Sequence, residues 1–241
     1  MHLSIIIPAY NEEHRLPPTL EKVLAFAEAQ EYDCEVLVVD NGSEDGTAEV
    51  VRSLCGAHPC LRLLSEPRRG KGLAVRHGML EAAGEYRFMC DADLSMPIEQ
   101  VERFLPPTLP DFDVAIGSRR AKGAMVTRSL TRTLLSRVFN IITRLVALPG
   151  IRDTLCGFKC FRAEVAEDVF RRQRLAGFAF DVEIMAIARH RKWRIVEVPV
   201  TWVAVASAQK TLIFGTPKAV LDLLTIRSNV RNGLYDDSSS E

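Results

Sequence analysis

The 241-residue chain has no run of about 18 uncharged apolar residues, so no membrane-spanning helix is expected. It also lacks the basic start and long apolar stretch of a secretory leader. His2 and Leu3 lead straight into Ile5-Ile6-Ile7, which predicts a cytoplasmic protein. Neither sign of charge is in excess: 31 Lys and Arg balance 31 Asp and Glu. A neutral chain offers no bulk field for nucleic acid, and any anion site must come from a local cluster. The six cysteines, Cys34, Cys55, Cys60, Cys90, Cys156 and Cys160, have no regular spacing. Reduced thiols are therefore expected rather than a disulfide framework. Cys156 and Cys160 would make half a zinc site, but no His or Cys pair completes it. No repeat or low-complexity linker divides the chain. What is present is 47% hydrophobic and 26% charged, enough for a full core in one domain.

Strands and helices alternate through the first half. Apolar runs at 3–8, 35–39, 61–64, 86–90 and 114–116 read as strands. Helical spacing appears over 17–29, 45–54 and 72–83. This order argues for an α/β domain with a parallel sheet and helices on both faces, where ligands bind beyond the carboxyl ends of the strands. The second half is less regular. It carries a long helical stretch over 127–148 punctuated by arginines, helices over 180–190 and 217–231, and a strand over 195–200. The arginine-studded stretch fits either a membrane surface or a packed helix with solvated arginines. One domain is expected over 1–233, with a nucleotide half at about 1–120 and an acceptor half at about 121–233. A disordered tail is expected over 234–241.

Four local signals follow strand ends. Asp91-Ala92-Asp93 puts two carboxylates on one face at the end of a strand, where they can hold a hard cation such as Mg²⁺ or Mn²⁺. Alone, such a pair is more often two solvated turn residues, and it is the three signals before it that favour a cation site. After the first strand, Tyr10 can stack on a base and Glu12 can accept from base or ribose, or the segment is a plain turn into a helix. After the second, Asp40 can bond a base or ribose, and Gly42 and Gly46 let a ligand approach the backbone. The alternative there is a capped turn using Ser43. Arg68-Arg69-Gly70-Lys71-Gly72 joins cations to a helix N-terminus, suited to a phosphate or to a solvated basic turn. The P-loop spacing is absent.

The order of these signals resembles the inverting nucleotide-sugar glycosyltransferases of the GT-A fold, glycosyltransferase family 2. Ser4–Glu13, Asp40–Thr47, Gly70-Lys71-Gly72 and Asp91-Ala92-Asp93 match that family's motifs in order. In the second half, Gly117-Ser118-Arg119, 150–159, 179–183, 197–202 and 222–227 resemble the branch of dolichyl-phosphate glucose and mannose synthases. The resemblance implies a Rossmann-like mixed sheet flanked by helices, a UDP-glucose or GDP-mannose donor, Mg²⁺ or Mn²⁺, and a polyprenyl phosphate acceptor met at the cytoplasmic membrane face. It implies that Pro8, Tyr10, Glu12, Asp40, Gly42, Lys71 and Asp91 line the nucleotide pocket. Asp93 would be the main metal ligand, with Asp91 and Ser95 beside it. Arg119 would contact the diphosphate or the acceptor phosphate. Asp153 falls where relatives acting on hydroxyl groups carry their base.

Two departures stand out: Ala206–Lys210 replaces a Gly-Ser-Lys stretch, and the C-terminal membrane helices of many relatives are missing. An ionised acceptor phosphate needs no strong base to attack the sugar. A soluble hydroxyl acceptor would need one, with Asp153 the candidate. A catalytically silent nucleotide-sugar-binding module is the remaining alternative, and it sits poorly with an intact Asp91, Asp93 and Lys71.

Overall fold

The computed structural model describes residues 1–127, 143, 148–203 and 217–236. The strands are β1 (Leu3–Ala9), β2 (Cys34–Asp40), β3 (Leu61–Ser65), β4 (Tyr86–Met89), β5 (Val114–Ser118), β6 (Met125–Thr127), β7 (Lys159–Arg162), β8 (Ile195–Pro199) and β9 (Thr201–Val203). The helices are α1 (Leu16–Glu28), α2 (Thr47–Cys55), α3 (Lys71–Glu81), α4 (Ala163–Arg172), α5 (Phe180–His190) and α6 (Pro217–Arg231), with a 3₁₀ helix at Ile98–Phe104. β1 and β2 read as near-continuous apolar runs because both faces of the sheet are covered. Alternate residues feed two cores. Ile5, Ile7, Val36 and Val38 pack with α1 and the 3₁₀ helix, while Ile6, Leu37 and Val39 pack with α3, α4, α5 and α6.

The main sheet runs β3-β2-β1-β4-β7-β5-β8, and β6 pairs with β9 apart from it. It is mixed, as the resemblance implies, and not wholly parallel. β7 lies antiparallel between β4 and β5. Two reversals leave β5 running the same way as β4, so the carboxyl ends of β1, β2, β4 and β5 share one edge of the sheet. β7 enters at that edge, with Lys159 opposite Met89. The loop before β7 is thereby brought beside Asp91.

Neither β7 nor α4 is among the expected elements. β7 is four residues long with a cation at each end, and its period-2 signal is hidden because Lys159 is fully buried. The 127–148 stretch lies outside the described residues except for Thr127, Thr143 and Leu148, and Lys210 lies outside them too. Of the expected tail, residues 234–236 are described. Tyr235 is buried, and its hydroxyl donates to Glu183 at 2.8 Å, so the ordered chain extends past 233.

Candidate active site

A cavity of about 240 Å³ opens at the shared carboxyl edge. Pro8, Tyr10 and Glu12 reach it from the end of β1, and Asn41 from the end of β2. Arg69, Gly70 and Lys71 come from the turn into α3, Asp91 from the end of β4, and Phe178 from the turn before α5. Tyr10 stands half-open at the rim with the Arg69 guanidinium 5.0 Å from its ring centre. Arg69 also pairs with Glu44. The Glu12 carboxylate pairs with Arg15 at 2.9 Å, and its amide donates to Thr47 Oγ1 at 2.8 Å.

Five of the seven residues expected in the nucleotide pocket line this cavity, and two do not. Asp40 is buried at the end of β2, and its Oδ1 accepts the Ser43 amide at 3.2 Å. Gly42 sits at φ +70 beneath the Pro67 carbonyl. The strand-to-helix turn uses both, but Ser43 does not cap α2: the N-cap is Gly46 with no side-chain bond, and the Ser43 hydroxyl accepts the Asn11 amide at 3.0 Å. Asn41 takes the inward place. Its Nδ2 donates to the carbonyls of Glu66 (3.1 Å) and Arg68 (2.8 Å), and its Oδ1 accepts the Gly70 amide (2.8 Å). One side chain thus ties the basic turn to β2. Only an amide, with donor and acceptor on one group, can make all three bonds.

The start of α3 differs from expectation in how it would meet an anion. The Gly72 amide already donates to Ala176 O at 2.8 Å, and those of Leu73 and Ala74 to Gly70 O. The turn therefore contributes the Lys71 ammonium more than backbone amides. A Cβ on Gly70 would lie 2.5 Å from Ala176 O, so this close approach requires glycine. Lys71 Nζ donates to Asp91 Oδ1 at 2.6 Å. Burial works against its charge, but the pull of Asp91, Asp181 and Asp93 outweighs it and holds the ammonium above its usual range.

Asp93 is half-buried. Its Oδ1 accepts the Ser95 amide (3.1 Å) and hydroxyl (2.9 Å), across a turn that places Leu94 at φ +40. The Ser95 hydroxyl thus donates to Asp93 and steadies that carboxylate, and this bond leaves the lone pairs of its oxygen unused. Among the described residues, Asp93 Oδ2 has no hydrogen-bond partner, and no group of three or more His, Cys, Asp or Glu converges to cage a metal. This donor set fits a hard cation held by one or two carboxylates and completed by ligand phosphates, the usual mode for Mg²⁺.

Arg119 follows β5. Its Nε and Nη2 donate to Asp153 Oδ2 (2.7 Å) and Oδ1 (2.8 Å), and its backbone amide adds a third bond to Oδ2 at 3.0 Å. Burial alone would raise the Asp153 pKa, but Arg119 overrides it and holds the carboxyl below its usual range. Both oxygens are taken and the residue is 1% exposed. Asp153 is therefore poorly placed to act as the base that a hydroxyl acceptor would need.

Behind this edge, Lys159 Nζ bonds Asp181 (2.5 Å) and the Cys156 carbonyl (2.6 Å). Glu183 accepts the amides of Arg174 and Leu175, fixing the segment that carries Ala176 and Phe178. Asn41, Phe178 and Gly157 are the residues that sequence reasoning misses. For Asn41, a signal exists in an amide directly after a strand end. Phe178 and Gly157 reach the site only through the fold.

The chain matches the family model "Glycosyl transferase family 2" over residues 4–170. Dolichyl-phosphate beta-glucosyltransferase ALG5C of Trichomonas vaginalis is 35% identical over 248 residues, which cover 98% of this chain and 73% of that protein. The human dolichyl-phosphate beta-glucosyltransferase is 34% identical over 249 residues, covering 97% and 77%. Among solved structures, glucosyl-3-phosphoglycerate synthase from Mycobacterium tuberculosis, in complex with Mn²⁺, UDP-glucose and phosphoglyceric acid, superposes with a TM-score of 0.65. Its identity is 17%, and the match covers 94% of this chain and 80% of that one. That likeness is one of fold, the GT-A arrangement of a mixed sheet flanked by helices.

Proposed function

We propose a substrate pair for a chain that belongs to glycosyl transferase family 2: it moves glucose from a nucleotide sugar, UDP-glucose first among candidates, to a polyprenyl phosphate of the dolichyl type. The observation that carries the choice of acceptor is the state of Asp153. The residue placed to be a base is buried and bonded on both oxygens to Arg119. Such a cleft suits an acceptor that arrives already ionised. The curated relatives, named for glucose and dolichyl phosphate, support the same pair.

In this reading an acceptor phosphate oxygen attacks the anomeric carbon from the face opposite the diphosphate. The new carbon–oxygen bond forms as the bond to the diphosphate breaks, so the configuration inverts and no proton need move. The residues' work is to bring two anions into line and offset their repulsion. Lys71 lines the cavity, and Arg119, outside that lining, is fixed as a cation on Asp153. Asp93, with Asp91, would hold Mg²⁺ or Mn²⁺, which when bound neutralises charge on the leaving diphosphate.

A polyprenyl phosphate is met at a membrane surface. Among the described residues no helix is long and apolar enough to cross one. α6, however, turns Val220, Leu221 and Leu224 to solvent beside exposed Lys218, Arg227 and Arg231. That pattern suits peripheral, salt-sensitive association. Flotation with anionic liposomes at low and high salt checks it, and absence of binding at low salt refutes it.

Product analysis tests the reaction. The protein is given UDP-glucose or GDP-mannose with a short polyprenyl phosphate or a panel of soluble hydroxyl acceptors. A solvent-extractable glucosyl phosphate is expected from UDP-glucose. Transfer only to a soluble hydroxyl would overturn the acceptor, and transfer only from GDP-mannose would overturn the donor.

A further inference from the structure

We infer that Asp153 and Glu197 are positioning residues: a carboxylate socket, seated by a second carboxylate, that fixes the Arg119 guanidinium relative to Asp91. The inference rests on the glycosyl-transfer reading and adds to it the means by which a cation outside the cavity lining is held in place relative to Asp91.

A guanidinium on a flexible stem is ordinarily free to swing. Here its plane is fixed by the paired bonds from Nε and Nη2 to one carboxylate, and its root by the bond from the Arg119 amide to the same group. Among the described residues, Nη1 has no hydrogen-bond partner, and the side chain keeps 18% of its exposure. The guanidinium thus keeps one nitrogen unused by the socket.

The socket is itself held. Glu197, on β8 beside β5, accepts the amides of Arg152 (3.0 Å) and Asp153 (3.1 Å) through a single oxygen. The same loop meets the other half of the site. At Gly157 it packs so closely on Asp91 that a Cβ would lie 2.3 Å from Oδ2. The Gly117 amide donates to Phe158 O at 2.8 Å, which ties the loop to β5. One short segment therefore touches Arg119 through Asp153 and Asp91 through Gly157, so their separation is set by the loop and not by side-chain freedom. Asp91 also figures among the charges acting on Arg119. A cation placed this way can meet an anionic oxygen without reorganising.

Chemical rescue separates a socket from a base and from a merely structural pair. Arg119→Ala should lower transfer about 10²-fold, in line with loss of one preorganised donor. Millimolar guanidinium chloride, but not sodium chloride, should restore part of it and raise the melting temperature of R119A. Neither effect should appear in R119A/D153N, and both should weaken in R119A/E197A. Equal rescue with and without Asp153 overturns the inference, as does no rescue in R119A. Should R119A not fold, Arg119→Lys takes its place in a double-mutant cycle with Asp153→Asn. A socket makes the two losses of rate overlap, so R119K/D153N transfers no more slowly than the worse single variant, whereas a base acting apart from Arg119 makes the losses multiply and overturns the inference. If the wild-type protein transfers no sugar at all, the functional reading fails, while the melting arm still reports on the socket.

Discussion

Gly157→Ala is the most direct test of how the loop before β7 holds the acidic pair. Gly157 is buried, and an added Cβ would lie 2.3 Å from Asp91 Oδ2 and 2.8 Å from its Cγ. Ordinary contact begins at 3.4 Å, so the carboxylate must withdraw by roughly 1 Å. It has somewhere to go, because the Asp91 side chain is 24% exposed. The fold should therefore survive with a loss of about 1–2 kcal/mol, less than for overpacking a closed core. The site should fare worse. Displacing Asp91 stretches the 2.6 Å bond to Lys71, a charge-assisted contact worth about 1.5–3 kcal/mol when shielded and less here, where both partners reach solvent. It also moves a cavity-lining carboxylate by an amount that typically costs about 10²-fold in rate, or about 2.7 kcal/mol of barrier. The assay is steady-state transfer alongside thermal melting and UDP titration. A G157A protein that melts near the wild-type temperature and turns over at the wild-type rate would refute the reasoning, because the loop would then not hold Asp91 at all.

Asp93→Asn should keep the Ser95 bonds and the fold, yet lose about 10²-fold or more of metal-dependent transfer; unchanged turnover across a Mg²⁺ and Mn²⁺ titration counts against Asp93 as a ligand. Asn41→Ala removes three hydrogen bonds under the basic turn, and should cost about 2–3 kcal/mol in urea unfolding and raise the donor KM. A loss of stability with no change in KM would confine Asn41 to holding the fold. The Asp153 carboxyl is held below its unfolded value, so its contribution to stability is fully present above about pH 4 and is lost as pH falls through the lowered folded value. The acid limb of a melting-temperature profile should therefore flatten in Asp153→Asn, and an unchanged limb would contradict the pairing with Arg119.

Much of this protein is written in local pattern. The apolar runs of β1 and β2, the helical spacing of α1, α3 and α5, and the carboxylates and cations after the strand ends all depend on residues near one another in the chain. Short-range sterics and burial dictate them, so they are legible without a fold. The motif order that points to nucleotide-sugar transfer is likewise a property of the string. Three things are decided only in three dimensions. β7 inserts antiparallel between β4, some 70 residues earlier, and β5, some 45 residues earlier, pairings that no periodicity announces. That insertion sets Gly157 against Asp91 and Asp153 against Arg119. It converts an aspartate that reads as a base into the partner of a cation, because a carboxylate's role depends on what occupies its oxygens. The turn after β2 likewise directs Asn41 to the cavity and keeps Asp40 for the backbone. Sequence determined which chemical groups stand at the edge of the sheet, while the crossing of distant strands decided which of them face one another, since contact between remote residues is fixed by packing and not by position along the chain.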